Sequence, residues 1–310
     1  MKKNRFIHYK FVMALLLCFG MHTSIAQTDI DAIMMEKNNI CAGPMYSYSS
    51  WDTYWEGTKQ RKNANLGRVS NQTYSFMGNY GVTSKLNFLF GLNYVSTNAS
   101  QGVLHGMRGL QDGSIFIKYM PFERKINKSI ISIYAIGGFT FPVGNYTPDY
   151  LPLSLGLRSR NGIARLLFDF QNKSFFATVS GTYVYRGNVT LDRESYYTTE
   201  LINSNEVQMP NAMQYNVRTG WRNNRLIAEV VLNNWTSLGG FDISQNNMPF
   251  VSNRMNMTSI GFNTKYTFKK ADRLSLTGGF NQVVVGRNVG RSSMINAGVF
   301  YIVRIKNNKF

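Results

Sequence analysis

Imidazole or thiolate chemistry has few residues to draw on in this sequence. There are three histidines, His8, His22 and His105, and two cysteines, Cys18 and Cys41. Only His105 and Cys41 lie beyond residue 26, and residues 1–26 read as a secretory signal peptide. Lys2, Lys3, Arg5 and Lys10 form its basic start, Phe11 to Gly20 its apolar core, and Ser24-Ile25-Ala26 offers small residues for cleavage before Gln27. The apolar stretch falls well short of the roughly 20 residues a spanning helix needs. A Ser-His-Asp arrangement would have to be built round His105, which sits between Gly102 and Gly106, where a lone histidine is ordinarily just solvated. One histidine and one cysteine make no zinc or copper site, and a single cysteine makes no intramolecular disulfide. Asp192, Glu194 and Glu200 are carboxylates of the kind calcium takes, but Arg193 lies among them as in a solvated loop of mixed charge. The expectation is a protein that is not an enzyme and carries no metal or cofactor.

A second set of charges is more informative. Lys118, Arg165, Arg186, Arg218, Lys265 and Arg304, with Asp112, Asp169 and Glu229 as acidic partners, fall on the polar phase of segments that alternate apolar and polar residues. Tyr74, Phe76, Gly78, Tyr80 and Val82 oppose Ser75, Met77, Asn79 and Gly81, and Leu86, Phe88, Phe90, Leu92 and Tyr94 oppose Asn87, Leu89, Gly91 and Asn93. The pattern returns at Ile115 to Tyr119, Leu166 to Phe170, Tyr215 to Trp221, Ile260 to Phe268 and Ile295 to Ile305. Side chains on a strand alternate faces, so each segment presents one apolar and one polar or small face; about twelve such segments are legible. Gly137-Gly138 and Gly278-Gly279 lie inside these patterns and are strand glycines, not phosphate loops.

The connections decide between a soluble sandwich and a membrane barrel. Short links near 83–85, 122–128, 172–174, 222–225 and 269–273 alternate with longer ones near 53–69, 96–108, 142–162, 187–209 and 240–253. Short turns at one rim and long loops at the other mark an outer-membrane barrel with its turns in the periplasm, and closure satisfies every strand within lipid. The expected architecture is all-β: a signal peptide at 1–26, a periplasmic N-terminal leader at 27–38, and one closed antiparallel transmembrane β-barrel over 39–310. Charged side chains facing lipid would each cost about 2–4 kcal/mol near mid-bilayer, so the charged phase is assigned to the lumen. There it either braces a plugged barrel through ion pairs or lines an anion-favouring conduit. Asp112, Tyr196 and Tyr197 are assigned to loops. The net charge of +18, which becomes +14 on an exported chain without the four Lys/Arg of residues 1–26, points to lipid phosphates or an acidic solute rather than nucleic acid.

Three stretches resemble a known family. These are Asn79-Tyr80-Gly81-Val82-Thr83-Ser84-Lys85-Leu86, then Gly109-Leu110-Gln111-Asp112-Gly113-Ser114 running into Lys118-Tyr119, then Gly137-Gly138-Phe139-Thr140-Phe141-Pro142-Val143-Gly144. Together they are similar to the outer-membrane transporters related to the phenol-degradation meta-pathway protein, over about residues 70 to 185. The resemblance implies a barrel importer of hydrophobic or aromatic compounds. The expected function is a channel or transporter for a small solute, with outer-membrane lipid and lipopolysaccharide as surroundings. The alternative is a non-transporting surface barrel working through its external loops. Which solute passes and how barrels associate stay open at this point.

Overall fold

The computed structural model describes residues 28–243 and 247–305. The expected signal peptide lies outside the described residues. Among the described residues, twelve long strands close into one antiparallel barrel. They are β1 (Asn39–Trp51), β2 (Val69–Gly81), β3 (Leu86–Ala99), β4 (Arg108–Ile126), β5 (Ser129–Pro142), β6 (Asn161–Asn172), β7 (Phe175–Arg186), β8 (Ala212–Arg222), β9 (Leu226–Ser237), β10 (Asn256–Thr267), β11 (Leu274–Arg287) and β12 (Ser293–Arg304). Each pairs with its sequence neighbours, and β1 closes the ring by pairing with both β2 and β12, with Ile40 opposite Tyr80 and Asn39 opposite Arg304. No barrel strand keeps a free edge, as lipid requires of a sheet with no water to satisfy it.

The two-residue period of the sequence sorts side chains as expected. Phe76, Ile117, Leu166, Phe168, Val230, Phe262 and Ile295 stand exposed on the outer wall, forming the apolar belt of a membrane barrel. Asn79, Asn87, Lys118, Arg165, Thr178, Ser180, Asn216 and Ser259 are buried on the inner face. Strand closure has local devices. Gly43 and Pro44 sit in β1 against β12, where a Cβ on Gly43 would lie 1.9 Å from the Val299 carbonyl oxygen. Pro44 has no N–H to give a ladder, so the pair marks an irregular stretch of the seam. The β4–β5 and β6–β7 turns place Asn127 and Lys173 at positive φ (54° and 52°), the conformation that tight hairpins call for.

The two rims differ. Links of a few residues join strands at the rim that also holds the start of β1 and the end of β12, whereas the opposite rim carries 52–68, 100–107, 143–160, 187–211 and 238–255. These long loops pack on one another. Val189, Val207, Met209, Phe250 and Val251 form a small apolar core. Leu153, from 143–160, is fully buried with Leu66 and Val69. The loop carrying it is also held by the barrel wall, since Thr97 Oγ1 donates to the Leu153 carbonyl at 2.6 Å.

Candidate functional site

The lumen is occupied by the protein's own chain. Residues 28–38 precede β1 and run into the barrel from the short-turn rim, with 28–35 outside the barrel ladder. Gly81 makes the entry passable: a Cβ there would lie 2.1 Å from the Glu36 carbonyl oxygen. Asn38 N donates to Gly81 O at 2.8 Å and Ile305 N to Asn38 O at 2.8 Å, tying the entry to both strands at the seam. Deeper in, Ala32 packs with Met120, Tyr134, Ile136 and Leu167, and Met35 with Cys41, Phe300 and Ile302.

Charge fixes the tip of this segment. Lys118, without exposed surface, donates to Asp31 Oδ1 at 2.9 Å and to the carbonyls of Thr28 and Ile33 at 3.0 and 2.9 Å. Arg165 donates to Asp29 through its carboxylate at 2.7 Å and its carbonyl at 2.8 Å, while its Nε reaches Thr182 Oγ1 at 2.7 Å. Tyr134 Oη donates to Ala32 O at 2.9 Å. Two cations of the wall thus receive their carboxylates from the segment rather than from neighbouring strands.

Two further wall cations pair across strands. Arg218 meets Glu229 at 3.2 Å, and Asn263 donates to the same carboxylate at 3.1 Å. Arg222 holds Asp169 through both terminal nitrogens at 3.1 and 3.3 Å and lies 3.9 Å over the Phe176 ring, a cation–π contact strengthened by desolvation. A cavity of about 320 Å³ lies between the inserted segment and the β8–β12 and β1 side of the wall. Its lining mixes Arg218, Arg222 and Lys265 with Met45, Met294 and Phe300. Arg218 Nε, Arg222 Nε and Thr277 Oγ1 are buried there without a hydrogen-bond partner.

Of the lumen residues expected from sequence, Lys118, Arg165, Asp169, Arg218, Glu229 and Lys265 are buried on the inner wall. Arg186 is also buried but sits apart, at the long-loop end of β7, donating to Pro210 O at 3.3 Å. Arg304 ends β12 at the short-turn rim and is exposed. Asp112, expected in a loop, is a correction: it belongs to β4, opposite Pro142 of β5, because the ladder runs past a bulge at Gln111 and Asp112 opposite Asn93. It accepts a 2.5 Å hydrogen bond from Tyr146 Oη and so anchors 143–160. Tyr196 is buried in the loop core, stacked 5.3 Å from Phe250, while Tyr197 is exposed. His105 is exposed in 100–107, and among the described residues no three His, Cys, Asp or Glu side chains gather as a metal would need.

Sequence reading missed Asp29, Asp31, Tyr134 and Arg222. Arg222 was assigned to a turn, yet it ends β8 with its side chain inward. The signal for Asp29 and Asp31 was arithmetic: the inward cations outnumber Asp112, Asp169 and Glu229, and a buried cation needs a partner.

The sequence matches no family model and no curated protein. Among solved structures, the chain is similar to an outer membrane channel from Pseudomonas putida F1, with 12% identity, 90% of this chain and 100% of that chain covered, and a TM-score of 0.70. It also aligns with the translocator domain of an autotransporter from Neisseria meningitidis at 8% identity, covering 95% of this chain and 93% of that one, with a TM-score of 0.43. The beta domain of a Bordetella autotransporter aligns at 12% identity over 84% of this chain and 98% of that one, with a TM-score of 0.44.

Proposed function

We propose that the protein is an outer-membrane channel for a small organic solute and that its N-terminal segment closes the lumen. The observation that carries this reading is what fills the barrel. Much of the lumen holds residues 28–35, a stretch outside the barrel ladder, so the space can open without breaking any strand pair. In this reading residues 1–26 direct export, the short-turn rim faces the periplasm, and the apolar belt meets outer-membrane lipid and lipopolysaccharide. The solved channel from Pseudomonas putida F1, which shares this architecture, supports the same reading.

Energetics make the segment a workable gate. Buried ion pairs roughly break even against the cost of desolvating both partners. Withdrawal rehydrates Asp29, Asp31, Lys118 and Arg165 together, so closed and open states need not differ greatly in free energy. Full-length protein in planar bilayers should give discrete currents and should let small organic solutes cross proteoliposome membranes. Currents that stay at background across salts and solutes would contradict it.

The shared core of the long loops favours a second reading, a surface barrel that acts through them. Deleting 187–209 should then abolish partner binding and spare the barrel.

A further inference from the structure

We propose that the lumen site is selective for compact amphipathic carboxylates, and that Asp29 and Asp31 occupy it as internal stand-ins for such a solute. The inference rests on the channel reading above and names its substrate class.

The inserted segment shows what the site accepts. Its sequence, Thr28-Asp29-Ile30-Asp31-Ala32-Ile33, sets carboxylates beside branched aliphatic side chains. Asp29 lies on Arg165 at 2.7 Å and Asp31 on Lys118 at 2.9 Å. Ile30 and Ile33 line the adjoining cavity, across from Met45, Met294 and Phe300. A carboxylate with an apolar body reproduces both halves of that arrangement.

Charge balance gives the same answer. With the segment seated, Lys118, Arg165, Arg218 and Arg222 each have one carboxylate. When it withdraws, Lys118 and Arg165 lose theirs, while Arg218 and Arg222 keep the fixed partners Glu229 and Asp169. An incoming anion restores the pairing. A neutral hydrocarbon that displaces the water admitted on withdrawal leaves two cations uncompensated, and a cation adds to them. Arg218 Nε, buried without a partner at the cavity, supplies a further donor. A cavity of about 320 Å³ suits a small organic molecule.

Occupancy and gating are then one equilibrium. A carboxylate competes with Asp29 and Asp31, so its apparent affinity is its intrinsic affinity scaled by the fraction of barrels whose segment is withdrawn. The test uses the full chain in planar bilayers, with sodium benzoate and neutral benzamide as probes. Under a potassium chloride gradient the reversal potential should show preference for chloride. Benzoate should alter the current saturably and benzamide should not. In the double variant D29N/D31N the segment competes less well, and the half-effective benzoate concentration should fall by roughly tenfold or more. Correct assembly of the variant is checked by the mobility difference between unheated and heated samples in detergent gels.

A conducting channel that prefers potassium, that answers benzoate and benzamide alike, or whose benzoate response is unchanged in D29N/D31N overturns the carboxylate proposal and leaves the channel standing. A barrel that folds but conducts under no condition overturns both.

Discussion

Lys118 has no exposed side-chain surface, and its three acceptors all belong to the inserted segment. Replacing Asp31 by Asn removes the carboxylate to which it donates and leaves a buried ammonium hydrogen-bonded to neutral groups. Breaking one side of a buried pair costs about 3–5 kcal/mol, and here the cost falls on seating the segment, since withdrawal lets water reach Lys118. In D31N, hydrogen exchange at Ile33, whose amide donates to Asp31 at 3.1 Å, should accelerate, while amides of β8 and β9 stay protected. Equal protection in the two proteins would show that the pair does not hold the segment.

Outside the membrane, Asp242 accepts from Arg287 Nε and Nη2 at 2.8 and 2.6 Å and from Asn288 at 2.7 Å. The Arg287 hydrogen bonds hold its carboxyl below the usual carboxylate range. The link should therefore be intact at all pH values above the ordinary carboxylate pKa and fail only as pH drops through the lowered folded value. Protection factors in 238–243, taken against the intrinsic pH dependence of amide exchange, should be level from neutral pH to about pH 5 and fall only in stronger acid. In D242N they should be lower throughout and lack that acid step.

Legibility varied residue by residue. Lys118, Arg165, Asp169, Arg218, Glu229 and Lys265 could be assigned to the lumen because each falls on the polar phase of a strand whose other phase is unmistakably apolar. Their partners could not. Asp29 and Asp31 sit in a short stretch with no period, where sequence offers no geometry, and only the excess of inward cations hints that acids must arrive from elsewhere.

At the scale of elements, alternation made the strands readable because lipid and lumen impose opposite demands on successive side chains. Their ends were less so. Asp112, expected in a loop, lies within the β3–β4 ladder, which continues past a bulge at Gln111 and Asp112 opposite Asn93. Pro121 likewise lies where the β4–β5 register slips between Tyr119 and Phe122, a place where a missing N–H costs no ladder bond. The outward phase makes a depth-dependent prediction. Ile117→Arg, near the middle of β4, should destabilise the barrel in bilayers by about 2–4 kcal/mol, and Ile126→Arg, at the rim, by about 0–1 kcal/mol. Equal effects in urea-dependent folding into lipid vesicles would mean that the membrane does not sit across the middle of β4.

For the whole molecule, the wall supplies a closed, lipid-compatible cylinder, and two non-barrel regions narrow it. The long loops fold over one mouth on Leu153 and the Val189–Phe250 core, and residues 28–35 fill the other side. The choice between bracing and conduction, which the sequence left open, turns on the second region. Arg218–Glu229 and Arg222–Asp169 brace strand against strand, whereas Lys118 and Arg165 hold an element that can leave. Most of the ladder needs nothing from that element. Single-channel conductance of the full chain against a form lacking residues 29–34 measures the difference most directly. The structure predicts small or infrequent openings for the full chain and a larger, steadier conductance for the deletion, with both proteins folded. Equal conductance in the two would show that the N-terminal segment does not gate this barrel.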